Sequence, residues 1–187
     1  ISTAGIFGGE KDVYDESDKP EPLGHYGRSK YLGEVFVQEN SNHYIICRAG
    51  WMMGGGPTKD KKFINKLMKK ISSGDKELFV VDDRNGTPTY THDFAKNVKL
   101  LIENNCSGLF NMVCGGQTSR FEVAKELVKV LRIDKEIKLK KVSSRYFEKE
   151  YFAPRPTSER LINYKLDLIK MNIMRDWRLC LKEYIKN

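Results

Sequence analysis

Ile1-Ser2-Thr3-Ala4-Gly5-Ile6-Phe7-Gly8-Gly9 opens the chain and reads as a short buried strand running into a glycine turn. Residues 10–25 are rich in Asp, Glu, Lys, Pro and Gly and have no apolar periodicity, so they form a loop. From Tyr26 to about Asn40, Tyr31, Leu32, Val35 and Phe36 recur at helical spacing. A second strand, Tyr44 to Ala49, is closed by Trp51 and a Gly54-Gly55-Gly56-Pro57 turn. A basic helix to about Ser72 follows, broken by Ser73-Gly74-Asp75, and then a strand from Leu78 to Val81. Asp82 to Pro88 reads as a turn-rich connection, Thr91 or His92 starts a helix to about Asn104, and Gly108 to Val113 is a strand. Ser119 with Glu122 three residues later is a capping box for a helix through Arg132. A strand from Ile137 to Val142 and a helix from Trp177 to Ile185 complete the chain. Strands alternate with helices, which predicts an α/β fold with a largely parallel sheet. The more irregular tail after Gly115 predicts a second, smaller lobe.

The 187 residues suit one domain, or one domain with a lobe, and can bury a real core. With 40% hydrophobic and 31% charged residues, the chain is neither disordered nor a coiled-coil rod. No apolar run approaches the ~18–20 residues of a membrane span. The first residues lack the basic and apolar regions of a secretory signal. Cys47, Cys106, Cys114 and Cys180 are scattered without a C-x-x-C pair, which fits a reducing cytoplasm and predicts neither a disulfide framework nor a metal site. The formal charge of +8 raises the question of nucleic acid. The densest basic stretch, Lys59 to Lys70, carries apolar residues at 63, 64, 67, 68 and 71. Lys61, Lys62, Lys66, Lys69 and Lys70 then fall on the wet face of an amphipathic helix. Without a recognition motif, no nucleic-acid partner is expected. A positive field that attracts a small anionic ligand, such as a nucleotide diphosphate, fits better.

Tyr26-Gly27-Arg28-Ser29-Lys30 places a phenol and an ammonium four residues apart, on one face of a helix. A neighbouring cation stabilises a phenolate and lets a phenol exchange a proton near neutral pH. Taken alone the pair also arises by chance. Thr3, however, ends a strand about two dozen residues upstream, and strand ends line the ligand crevice of an α/β sheet.

Together, Ser2-Thr3, Ile6-Phe7-Gly8-Gly9, Tyr26-Gly27-Arg28-Ser29-Lys30 and Gly33-Glu34 resemble the extended short-chain dehydrogenase/reductases, and more narrowly the dTDP-4-dehydrorhamnose reductase family. The likeness continues through Arg48-Ala49-Gly50-Trp51, the stretch from Val80 to Thr89, Asp93-Phe94-Ala95, Gly108-Leu109-Phe110-Asn111, Thr118-Ser119-Arg120-Phe121, Arg155-Pro156-Thr157-Ser158 and Asp176-Trp177-Arg178. The resemblance implies an NADPH- or NADH-dependent reductase of a 4-keto nucleotide sugar, in which the cofactor carries the hydride. It implies the C-terminal part of a Rossmann-like parallel sheet over residues 1–56 and 82–115, and a smaller α/β substrate-binding lobe over 57–81 and 116–187. By position, Tyr26 is the proton donor to the keto oxygen, Lys30 holds the nicotinamide ribose and stabilises the phenolate, and Thr3 positions the carbonyl. Ile1, Ala49 and Gly50 join Tyr26 and Lys30 along the cofactor. Ala4, Trp51, Phe63 and Arg155 join Thr3 along the substrate. Trp51 reads equally as a rim aromatic of the core. Arg155 could meet a phosphate or bridge to a surface carboxylate.

The resemblance has gaps. Ala4-Gly5-Ile6 stand where the family commonly has Asp-Tyr-Val, and Lys62 precedes Phe63 where Asn is usual, so the sugar and the nucleotide are open. No G-x-G-x-x-G or G-x-x-G-x-x-G occurs, although family members seat the cofactor pyrophosphate on such a turn. The chain is therefore expected to be a C-terminal portion that partners the N-terminal half of its own protein, with a homo-oligomer left open and no turnover alone. An alternative is a non-catalytic subunit of the same fold, similar to the regulatory subunit of methionine adenosyltransferase.

Overall fold

The computed structural model describes residues 1–60, 62–149 and 153–186. Its central sheet is parallel and has the order β1-β2-β7, formed by Ser2–Thr3, Ile45–Ala49 and Gly108–Asn111, with strands numbered in chain order. Ser2 and Thr3 pair with Arg48 and Ala49, and Ile45 to Arg48 pair with Gly108 to Asn111. The near-continuous burial of β2 is what a parallel strand covered on both faces requires.

The opening strand is shorter than its sequence predicts. After Thr3 the backbone turns into a 3-10 helix, Ala4–Ile6, because the Thr3 hydroxyl accepts a hydrogen bond from the Gly5 N–H and caps it. Ile6 and Phe7 are still buried, in a small cluster with Ala4, Tyr14, Val113 and Leu161.

The first long helix, α1 (His25–Asn40), forms as predicted, and its fully buried positions are not its large apolar residues. Leu32 and Phe36 are exposed, whereas Gly27 and Glu34 are buried. Two tertiary contacts decide this. Gly27 packs on the Gly5 carbonyl so closely that a Cβ would collide with it. Glu34 accepts two hydrogen bonds from the Arg48 guanidinium on β2, at 3.0 and 2.7 Å, in a fully buried ion pair. Arg48 also lies 5.4 Å over the Phe7 ring.

The segment after β2 is more structured than its glycines suggest. Trp51–Met53 is a strand, β3, and Gly56–Lys59 forms a short helix, α2. The amphipathic helix α3 (Phe63–Ser72) then buries Ile64 and Leu67 and exposes Lys62, Lys66, Lys69 and Lys70, as its spacing predicts. Lys61 lies outside the described residues. β4 (Glu77–Val81) follows. The connection expected over 82–88 instead contains β5 (Asn85–Gly86) and leads into β6 (Pro88–Tyr90), which pairs in parallel with β3. The fully buried Thr89 and Tyr90 drive this strand, and its initial Pro88 conceals it in the sequence.

Helix α4 (Thr91–Glu103) leads to β7. Thr118–Ser119 forms β8, antiparallel to β5, and the Ser119 hydroxyl caps α5 (Arg120–Val130) by accepting from the Glu122 N–H at 3.2 Å. β9 (Lys138–Val142) pairs in parallel with β4. β10 (Ser158–Glu159) adds to β5 in parallel, α6 (Tyr164–Leu168) packs on β7, and α7 (Trp177–Lys186) closes the fold. The main core joins Phe94 and Leu101 of α4, Leu127 of α5 and Trp177, Cys180 and Leu181 of α7.

Candidate active site

Thr3 and Ala49 are register partners at the carboxyl ends of adjacent parallel strands, the position at which open α/β sheets bind ligands. The Thr3 hydroxyl accepts from the Gly5 N–H at 3.1 Å, which leaves its own hydrogen to donate. The Gly5–Gly27 contact sets the first turn of α1 against this strand end, with Tyr26 in that turn and Lys30 one turn further on. Tyr26 is 65% exposed and Lys30 is half-buried, so both can meet a ligand. The fold thus gathers the elements that carry Thr3, Tyr26, Lys30, Ala49 and Gly50. Ile1 is exposed beside them. Gly50 donates its N–H to Thr89 at 2.9 Å and leaves no room for a Cβ, because the Thr87 carbonyl fills that space.

A second group lies next to the first. The Trp51 indole N–H donates to Glu159 Oε2 at 2.8 Å. Arg120 stacks over the Trp51 ring at 4.3 Å and over Phe63 at 5.0 Å, so Trp51 and Phe63 are brought together through a guanidinium. Gly86 faces the Trp51 ring with no space for a side chain. Gly5 joins the two groups: a Cβ there would lie 3.5 Å from both Thr3 Oγ1 and Glu159 Oε1.

One expected site residue sits differently. The Ala4 side chain is 1% exposed and turned into the small core cluster, because the 3-10 turn that Thr3 caps rotates it inward; it offers a ligand no side-chain surface. Arg155 is exposed on the segment that packs along the 9–24 loop, where Thr157 donates its hydroxyl to the Gly9 carbonyl at 2.9 Å. The sequence reading missed Glu159 and the position of Arg120. Arg120 lay inside a quoted motif, but nothing local told that it stacks on Trp51. Glu159 comes from more than a hundred positions away and carried no local signal.

The site is supported from behind. Asp93 is held by Arg175 at 2.7 and 2.8 Å, and Arg175 also meets Glu183. Burial alone would raise the Asp93 carboxyl, but the Arg175 hydrogen bonds outweigh it and hold the group below the usual carboxylate range. Glu16 Oε1 accepts from the N–H groups of Asn111 and Lys165, while Oε2 is buried without a partner among the described residues; burial pushes this carboxyl up. Among the described residues no cluster suits a metal ion, and no helix is long and apolar enough to cross a membrane. A depression of about 420 Å³ between α5 and β9, lined by Phe121, Lys125, Lys129 and Leu139 among others, shares no residue with the site.

A family model described as "RmlD substrate binding domain" matches residues 1–187. The chain belongs to this family. It is 31% identical over 179 residues to the dTDP-4-dehydrorhamnose reductase of Mycobacterium tuberculosis (strain ATCC 25618 / H37Rv), covering 95% of this chain and 57% of that protein. It is 30% identical to the spore coat polysaccharide biosynthesis protein SpsK of Bacillus subtilis (strain 168), over all of this chain and 62% of the relative. Among solved structures, dTDP-4-dehydrorhamnose reductase from Yersinia enterocolitica superposes with a TM-score of 0.91 at 33% identity, over 99% of this chain and 64% of that one. The enzyme of the same name from Bacillus anthracis str. Ames, in complex with NADP, does so with 0.89 at 31% identity, over 99% and 63%. This member of the RmlD substrate-binding family therefore spans about three-fifths of the length of these relatives.

Proposed function

We propose that the polypeptide carrying this chain is a nicotinamide-dependent reductase of a dTDP-linked 4-keto sugar, with NADPH as the reductant. The observation that carries the reading is the joining of Thr3, at the carboxyl end of β1, to the Tyr26–Lys30 helix through the Gly5–Gly27 contact. The M. tuberculosis relative's name and the NADP in the B. anthracis enzyme support it. The residues present fit the nicotinamide end of such a cofactor. Ala49 and Gly50 follow the strand paired with β1, and Lys30 lies on the helix face that Tyr26 shares. The glycine turn that would seat a pyrophosphate is not among these residues.

Bound there, a reduced nicotinamide supplies the hydride to the keto carbon. Tyr26 donates a proton to the developing alkoxide oxygen, and the Lys30 ammonium stabilises the phenolate that remains. The Thr3 hydroxyl, already accepting from Gly5, donates to the same oxygen and fixes the carbonyl. Trp51, Arg120 and Phe63 form the wall against which the nucleotide sugar packs. The sheet end serves as the cofactor side, with residues 1–56 and 82–115, and 57–81 with 116–187 as the substrate side.

Tyr26→Phe in the complete polypeptide is expected to lower kcat by about a hundred- to ten-thousand-fold while nucleotide affinity holds. Unchanged turnover would reject the assignment and leave a binding role for the fold.

A further inference from the structure

We propose that Glu159 determines sugar specificity at this site. One carboxylate oxygen positions the Trp51 indole, and the other, facing the same space above Gly5 as the Thr3 hydroxyl, selects sugars that are uncharged at C6 over sugar acids. The inference rests on the reductase reading above.

The positioning role follows from how Trp51 is held. β10 runs parallel to β5 with Glu159 opposite Gly86, which sets the carboxylate at the edge of the indole. The Nε1–H to Oε2 bond is 2.8 Å long and charge-assisted. Gly86 approaches the six-membered ring, and Arg120 lies 4.3 Å over the ring system. Each of these contacts comes from a different element, so the indole has one well-defined orientation. Without Glu159 the buried side of the ring keeps its packing but loses the bond that sets its rotation.

The selective role follows from the second oxygen. Oε1 lies 3.5 Å from the space above Gly5, as does the Thr3 hydroxyl. Because both groups face that space, a sugar whose C4 carbonyl meets Thr3, with its C5 side turned toward β10, would set its C6 group toward that carboxylate. Glu159 is half-buried and forms no ion pair among the described residues, so water screens its charge only in part. A methyl or hydroxymethyl group is tolerated there, and a hydroxyl can donate to Oε1. A C6 carboxylate is repelled.

The test compares binding of dTDP, dTDP-glucose and dTDP-glucuronic acid to the complete polypeptide by calorimetry. The two sugars differ only at C6. The wild type is expected to prefer dTDP-glucose by at least about tenfold, Glu159→Asp to keep that preference, and Glu159→Gln to narrow it to about threefold or less. An equal ratio in the wild type and Glu159→Gln overturns the selective role, as does equal weakening of both sugars in Glu159→Ala. If dTDP itself does not bind, the reductase reading fails, whatever Glu159 does. In parallel, the indole ¹H–¹⁵N resonance of Trp51, identified by its loss in Trp51→Phe, is expected to shift in Glu159→Ala and to return towards its wild-type position in Glu159→Gln. A resonance that does not move in Glu159→Ala overturns the positioning role.

Discussion

Gly27 shows how one missing side chain places the chemistry. With no Cβ it lets α1 touch the Gly5 carbonyl, and the first turn of α1, which carries Tyr26, is thereby set against the turn that follows Thr3. Gly27→Ala is expected to push α1 outward at a cost of about 1–3 kcal/mol and to reduce turnover of the complete polypeptide more than it reduces nucleotide affinity. Urea unfolding and steady-state kinetics check the two parts. Glu16 makes the opposite kind of statement. Its folded carboxyl is raised by burial, so the unfolded chain ionises first, and the stability tied to this group declines as pH rises through the ordinary carboxylate range. Glu16→Gln is expected to remove that slope, measured by thermal melts between mildly acid and neutral pH. Gly27 could be read from the sequence only as part of a motif. Glu16 gave no signal, because its role depends on backbone donors at Asn111 and Lys165.

At the scale of elements, buried charge rather than apolar periodicity orients α1. The spacing of Tyr31, Leu32, Val35 and Phe36 predicts the helix correctly, yet of these only Tyr31 and Val35 are half-buried, while Leu32 and Phe36 are exposed. Glu34 and Arg48 are paired with two hydrogen bonds out of water, and removal of one partner strands the other charge. Glu34→Ala is expected to cost about 3–5 kcal/mol by urea denaturation, while the double change to apolar residues costs less than the single one. The Asp93–Arg175 pair ties α4 to the segment before α7. Since the folded Asp93 carboxyl is lowered, its contribution is complete above the ordinary carboxylate range and is lost as pH falls through the lowered value. A steeper loss of stability in acid for the wild type than for Asp93→Asn checks the sign.

Across the whole molecule, the four cysteines report on packing. Cys47, Cys114 and Cys180 are buried, and Cys106 is half-exposed. Burial pushes the Cys47 thiol up to about 11, and the Cys180 thiol is raised by its contact with Cys114 and by burial. Thiolate is the reactive form, so one thiol, Cys106, is expected to react promptly with a disulfide reagent in the native chain and all four after denaturation. Prompt reaction of a second thiol would place an opening in the core around that cysteine.

The alternation of strands and helices, the amphipathic Lys face of α3, the Ser119 cap and the placing of Tyr26 and Lys30 on one helix are written in local spacing, which sets hydrogen-bond periodicity and capping directly. The strands at 51–53 and 85–90 are not, because their pairing is with distant partners and their residues look like turns in isolation. The same holds for the burial of Glu34, the inward turn of Ala4 and the convergence of Glu159, Arg120 and Trp51. Sequence alone determined the type of fold and offered Tyr26 as the proposed proton donor. Tertiary structure decided which charges are buried and that Glu159, Arg120, Trp51 and Phe63 converge, because desolvation and close packing act between residues far apart in the chain.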